Sequence, residues 1–278
     1  MTEAPAPPAH EDGVPRSAET SGDPAVESVA ARPQRPSRLQ LGILLWLAGM
    51  VGVAAFAMLP LPASLANAAP RVPPWVVQAI GLAQSGLLVA AAVALGTLLA
   101  PSVGLAAPAF AAVAARTGAW RALAPQLAPG VLGALLGGLV LLAFRQRAPS
   151  AVTTAVASGF DPSLLVRVLY GGVTEEILLR WGVMTLLLWL FGTRARRRGE
   201  RPGRVAAAAA IAGSALLFGL GHLPTIAAYG GTLTPDVVLW TLAGNGLFGV
   251  VMGRLFHRHG LEAAMLAHGL AHVVAFVA

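Results

Sequence analysis

Leu164-Leu165-Val166-Arg167-Val168-Leu169-Tyr170-Gly171-Gly172-Val173-Thr174-Glu175-Glu176-Ile177-Leu178-Leu179-Arg180 is the stretch that decides the fold, and it continues uncharged from Trp181 to Phe191. It is long enough to cross a bilayer, which takes about 20 residues. Yet Glu175, Glu176 and Arg180 fall within six positions of one another. A charge near mid-membrane costs about 2.5–3.5 kcal/mol on the insertion scale, so three together predict mutual pairing or a wet cavity within a bundle. Helical spacing separates their roles. Glu176 and Arg180, four apart, share a face and are expected to form an ion pair. Glu175 is turned about 100° away at 3.6 residues per turn, which leaves its carboxylate free to act on a water. A plainer reading is a helix end at the interface with solvated charges and Thr174 as a first-turn cap. Arg167 supports that reading; the apolar run on both sides of the cluster opposes it.

The whole chain has the composition of a bilayer protein. Its 278 residues are 56% hydrophobic and 11% charged, and the mean hydropathy is +0.71. Soluble domains carry about a quarter charged residues. Of the 12 acids, Glu3, Glu11, Asp12, Glu19, Asp23 and Glu27 stand in the first 27 positions, so an acid further on is an exception that needs a reason. All 19 basic residues are Arg. They gather at helix ends, where they orient a membrane protein, and the high pI of about 11.4 is therefore not read as a nucleic-acid signal. There is no Cys, which removes disulfides and thiolate metal ligands.

Residues 1–38, rich in Pro, Ala, Ser and Glu, are expected to be a disordered tail. Residues 39–278 are expected to form an all-α, polytopic transmembrane bundle of about seven spans. These are Leu39 to about Leu61, then roughly 75–100, 129–144, 164–191, 205–228, 235–255 and 260–277. The proline-broken stretch Pro101–Pro129 is read as a short interfacial or re-entrant piece. Ala66-Asn67-Ala68 resembles a signal-peptidase site, but the first span follows a long tail and is read as an uncleaved anchor. The six arginines from Arg194 to Arg204 mark a cytoplasmic loop. Counting spans then puts the tail, with Arg32, Arg35 and Arg38, and also Arg254 and Arg258, on the same side. Arg145 and Arg147 fall outside, against the rule.

Two later helices carry further ionisable groups. Phe218-Gly219-Leu220-Gly221-His222-Leu223-Pro224 sets His222 one turn after Phe218, near a proline that bends or ends the helix. Imidazole suits holding a water near neutral pH. His268-Gly269-Leu270-Ala271-His272 puts two histidines on one helix face. That spacing suits two metal ligands, but Gly269 stands where the H-E-x-x-H motif has its glutamate. His257 and His259 read as a helix-end cluster, Glu262 as a first-turn acid, and Asn245 as a polar helix–helix contact. The six Trp residues read as interfacial or lipid-packing.

Glu-Glu-x-x-x-Arg at Glu175–Arg180, Phe-x-x-x-His at Phe218–His222 and a His-x-x-x-polar motif at His268–His272, in this order on separate late helices, resemble the CPBP family. That family comprises CAAX prenyl proteases and bacteriocin-processing or self-immunity (Abi) proteins. The resemblance covers about residues 160–278. It implies a multi-pass membrane endopeptidase acting on a membrane-associated peptide or protein amid membrane lipid, with Glu175 as the base that activates water. It further implies that His222 helps hold that water or binds a metal, that His268 polarises the carbonyl, and that Arg180 ties down Glu176. The family commonly has Asn or Asp where this chain has His272. Either His272 serves as the oxyanion donor, or Glu175, His222, His268 and His272 make a set suited to zinc; the residues leave both open. A non-proteolytic scaffold or immunity protein and a proton-coupled transporter are the competing readings.

Overall fold

The computed structural model describes residues 1–3, 37–68, 71–157 and 162–278. Most of the expected tail therefore lies outside the described residues. The chain divides into two units, Met1–Gln34 and Arg35–Ala278, and the second holds everything that follows.

Helix α1 (Arg38–Ala57) begins where Ser37 and Gln40 cap each other reciprocally, at 3.1 and 3.2 Å. A short α2 (Ala63–Ala68) occupies the Ala-x-Ala segment. Next come α3 (Pro74–Val103), α4 (Pro108–Ala114), α5 (Ala119–Arg145) and α6 (Ser150–Ala157). Residues 164–191 are helical throughout and are called α7 here. Then follow α8 (Thr193–Arg197), α9 (Arg204–Ala228), α10 (Pro235–His259) and α11 (Leu261–Val277).

Helices α1, α3, α5, α9 and α10 are each long and apolar enough to cross a membrane. Helix α7 carries the charged cluster, and α11 is a shorter apolar helix of 17 residues. The chain is a polytopic helical bundle, and the expected span positions coincide with these seven helices. The reading of Pro101–Pro129 as a single interfacial piece is overturned. Helix α3 continues through Pro101, and α5 starts ten residues before the expected 129 with Pro125 and Pro129 inside it. Each proline removes one backbone donor, a loss that packed membrane helices tolerate.

Contacts sort the helix ends into two groups. At one end, Leu261 N–H donates to Ala106 O, and the Arg201 side chain lies over the turn at Gly104, whose φ of 77° favours glycine. Arg38, Arg116, Arg121, the six arginines from Arg194 to Arg204, Arg254 and Arg258 belong to this end. At the other, Tyr229 Oη donates to Pro60 O, Ser64 Oγ to Ala228 O, and an Arg145 guanidinium nitrogen to Ala275 O. This end holds Arg71, Arg145, Arg147 and Arg167.

Glycines set how closely the helices approach, as is usual where lipid gives no hydrophobic drive to association. A Cβ at Gly130, Gly133, Gly137 or Gly138 of α5 would collide with α10 or α11 side chains, among them Leu266, Leu255, Phe248 and Val274. Gly52 does the same for α1 against α7, and Gly49 for α1 against Val89 of α3. Trp181, expected at the membrane interface or against lipid, is instead 2% exposed in the core, because Gly96 of α3 leaves room for its indole.

Candidate active site

Helix α7 is wound as a π-helix over Arg167–Glu175 and again over Ile177–Met184. At the end of the second stretch, Thr185 N–H and Oγ1 both reach the carbonyl of Arg180, five residues earlier. Such segments are rare and collect at functional sites. The 100° separation expected for Glu175 and Glu176 assumed α-helical geometry, so the angle itself does not carry over. Their different surroundings do: Glu176 is fully buried, whereas the Glu175 side chain is 17% exposed.

Glu176 is the hub of the buried polar groups. Its Oε2 lies 3.2 Å from Arg180 Nε, an ionic contact whose angle does not make a hydrogen bond. Its Oε1 lies 2.7 Å from His268 Nδ1. Arg180, also fully buried, donates from Nη2 to Gly249 O at 3.2 Å and lies 4.9 Å from the centre of the Phe218 ring. The expected i, i+4 pair is present. The link onward to His268 on another helix is not something the spacing within α7 foretold.

The hydrogen bonds fix the tautomers of two histidines. An ionised carboxylate only accepts, so His268 Nδ1 carries the hydrogen and donates it to Glu176. His268 Nε2 then faces Glu175, 3.8 Å from Oε2. His222 Nδ1 lies 2.8 Å from Phe218 O. A carbonyl also only accepts, so this Nδ1 donates and Nε2 is the nitrogen left for chemistry. In both residues the inner nitrogen is tied down and the outer one is available.

Close approach of α7 and α11 depends on Gly171 and Gly172. A Cβ at Gly171 would stand 3.0 Å from His268 Nε2 and 3.2 Å from His272 Nε2; one at Gly172 would stand 3.0 Å from the Gly269 Cα. The His268 and His272 rings are 5.2 Å apart. Phe218 meets His222 edge-on at 4.7 Å, and Phe248 of α10 meets His268 edge-on at 4.7 Å. Glu175, Glu176, Arg180, Phe218, His268 and His272 thus share one cluster, and His222 joins it through Phe218.

Two contributors carried no sign in the sequence of the contacts they make. Phe248 walls His268 and His272 but reads as one more apolar residue. Thr174, fully buried, donates to Gly49 O at 2.7 Å and locks α7 onto α1. Asn245 bonds within its own helix, to Thr241 O at 2.9 Å. His257 and His259 lie in the last turn of α10, among its arginines. Glu262 does sit in the first turn of α11, where its Oε1 accepts from Phe110 N–H of α4 at 2.8 Å. Among the described residues no three of His, Cys, Asp and Glu stand together as a group that could hold a metal ion.

Residues 157–274 match the family model described as type II CAAX prenyl endopeptidase Rce1-like. No curated protein and no solved structure matches the chain.

Proposed function

Residues 157–274 form an Rce1-like endopeptidase domain of the CPBP family, and from that premise we propose that the chain hydrolyses a peptide bond of a membrane-associated substrate with water activated by Glu175. The observation that carries the reading is the partly exposed Glu175 carboxylate. It faces the Nε2 of His268, whose other nitrogen is held by the buried Glu176.

In this mechanism Glu175 takes a proton from water as the oxygen bonds to the scissile carbonyl carbon. The carbonyl π electrons move to oxygen, and the resulting anion lies toward His268 and His272. Collapse re-forms the carbonyl and breaks the C–N bond, and the proton held by Glu175 passes to the leaving amine. His222, its Nδ1–H engaged by Phe218 O, accepts a hydrogen bond from the water through Nε2 and orients it. Glu176 is a positioning residue. It fixes the His268 ring and stabilises a positive charge there, as the carboxylate of a Ser-His-Asp triad does for its histidine. When it carries a hydrogen on Nε2 as well, His268 presents that N–H to the oxyanion, the stabilisation that matters most in acyl transfer. His272 stands where the CPBP family commonly has Asn or Asp and offers a second donor.

The test is a peptidase assay on purified, reconstituted protein, accompanied by metal analysis. Glu175→Ala and His222→Ala are expected to abolish cleavage while the protein still inserts, and His272→Asn to keep it. Full activity of Glu175→Ala would end the peptidase reading in favour of a scaffold or immunity role.

A further inference from the structure

The two ends of the bundle differ in charge and in openness, and the differences point the same way. Eleven arginines lie at one end and four at the other. In short loops of membrane proteins such a bias marks the cytoplasmic side. Arg145 and Arg147, which oppose it, are outweighed once the fold places Arg116 and Arg121 at the arginine-rich end.

On that arginine-rich side buried side chains follow the cluster. Arg180, Trp181, Met184 and Leu188 follow one another down α7, each no more than 2% exposed. At the arginine-poor side an apolar cavity of about 340 Å³ lies between the ends of α1, α3 and α9, with Leu65 of α2 at its edge. That volume is within the range of ligand pockets, roughly 300–1,000 Å³. The cavity adjoins the proposed chemistry. Tyr170, five residues before Glu175 in the π-wound helix, lines it, and so do Pro224 and Thr225, just after His222.

We propose that substrate reaches Glu175 from the extracytoplasmic side, through this cavity, as an extended apolar segment of an exported or membrane-anchored protein. The occupant follows from adjacency: Tyr170, Pro224 and Thr225 of its lining stand on the two helices that carry Glu175 and His222, so a chain seated there lies beside the proposed base. Its lining is mostly apolar, with Gln78, Ser85 and Thr225 able to meet the backbone. The proposal rests on the peptidase reading for its chemistry, but its sidedness can be tested alone.

The absence of Cys makes single-cysteine labelling clean. In intact cells expressing the full chain, a membrane-impermeant maleimide is expected to label Gln78→Cys and Thr225→Cys from outside. It should label Arg198→Cys only in inverted vesicles. Labelling of Thr225→Cys is expected to lower peptidase activity at least tenfold. Gly81→Trp offers a second route, because Gly81 lines the cavity and a Cβ there meets nothing within 4 Å. It is expected to reduce cleavage tenfold or more with unchanged thermal unfolding. Labelling of the two cavity positions only in inverted vesicles overturns the sidedness. Cleavage at the unmodified rate by both the labelled protein and Gly81→Trp overturns the cavity as the route, leaving it to lipid. Cleavage by Glu175→Ala would instead remove the peptidase reading, and the labelling pattern of that variant would still decide which side the cavity faces.

Discussion

Helices α5 and α7 both lie against α11, and they do so in opposite ways. Between Arg121 and Arg145, α5 has no ionisable side chain and meets α11 through glycine, with Leu266, Ala267 and Val274 seated over Gly130, Gly133 and Gly138. Helix α7 also approaches through glycines, at Gly171 and Gly172, but uses the short distance for Glu176 to reach His268. The same device therefore serves cohesion on one side of α11 and chemistry on the other. Glycine supplies proximity, and the neighbouring residue decides its use.

Breaking the chemical side first should give the largest effect. Glu175→Gln keeps the size of the side chain and removes the base, so cleavage is expected to fall about 10²–10⁴-fold, the range for general acid–base catalysis. Thermal unfolding should not change, and the two measurements together separate chemistry from packing. Glu176→Ala attacks the support and should do both kinds of damage. It leaves Arg180 and His268 buried without their partner, and removing one member of a buried pair costs about 3–5 kcal/mol. Adding Arg180→Met to Glu176→Leu should recover much of that stability, as apolar replacement of whole buried pairs often does. Activity should stay low, because nothing then fixes the His268 ring or stabilises a positive charge on it. Recovery of activity along with stability would show that Glu176 serves packing alone.

The α5 side should respond in stability only. Gly130→Leu places a side chain against Leu266. Overpacking of this kind costs about 1–3 kcal/mol, read as a lower unfolding temperature with cleavage per folded molecule kept within a few-fold. A drop in cleavage as steep as that of Glu175→Gln would erase the distinction between the two sides. The smallest effect is expected at the shared start of α11. Glu262→Gln weakens the acceptor for Phe110 N–H, and loss of a helix cap is worth about 0.5–2 kcal/mol, measurable by thermal unfolding.

How much of this was legible in the sequence follows from what each residue type can betray. Charges in an apolar run cannot be accidental, so Glu175, Glu176 and Arg180 declared themselves, and His222, His268 and His272 nearly so. The helix positions followed from hydropathy for the same reason. A glycine or phenylalanine among leucines carries no such signal. Gly171, Phe248 and Thr174 could therefore be assigned only once α11, α10 and α1 were seen beside them. The π-winding of α7 was hidden because a uniformly apolar flank has no period to betray the pitch. Pro125 and Pro129 misled, since proline marks a break in water but not inside a packed membrane bundle. Trp181 misled likewise, because the space it fills is made by Gly96 on a helix distant in sequence.

The anchoring of α11 has a consequence in time. Its first turn is held at three points by parts of the chain made earlier: Leu261 N–H by Ala106 O, Ala263 N–H by Gln126 Oε1 at 2.9 Å, and the Glu262 carboxylate by Phe110 N–H. These partners wait in the α3–α4 connection, α4 and α5, while Glu175 and Glu176 are already in place on α7. Both His268 and His272 arrive on the element that follows all of these in the chain. During synthesis the dock is built before the helix that enters it, and the cluster closes last. A ribosome still working on α10 carries a polypeptide with Glu175 and no histidine partner from α11, so under the proposed mechanism peptide-bond cleavage waits until the scaffold around it has formed.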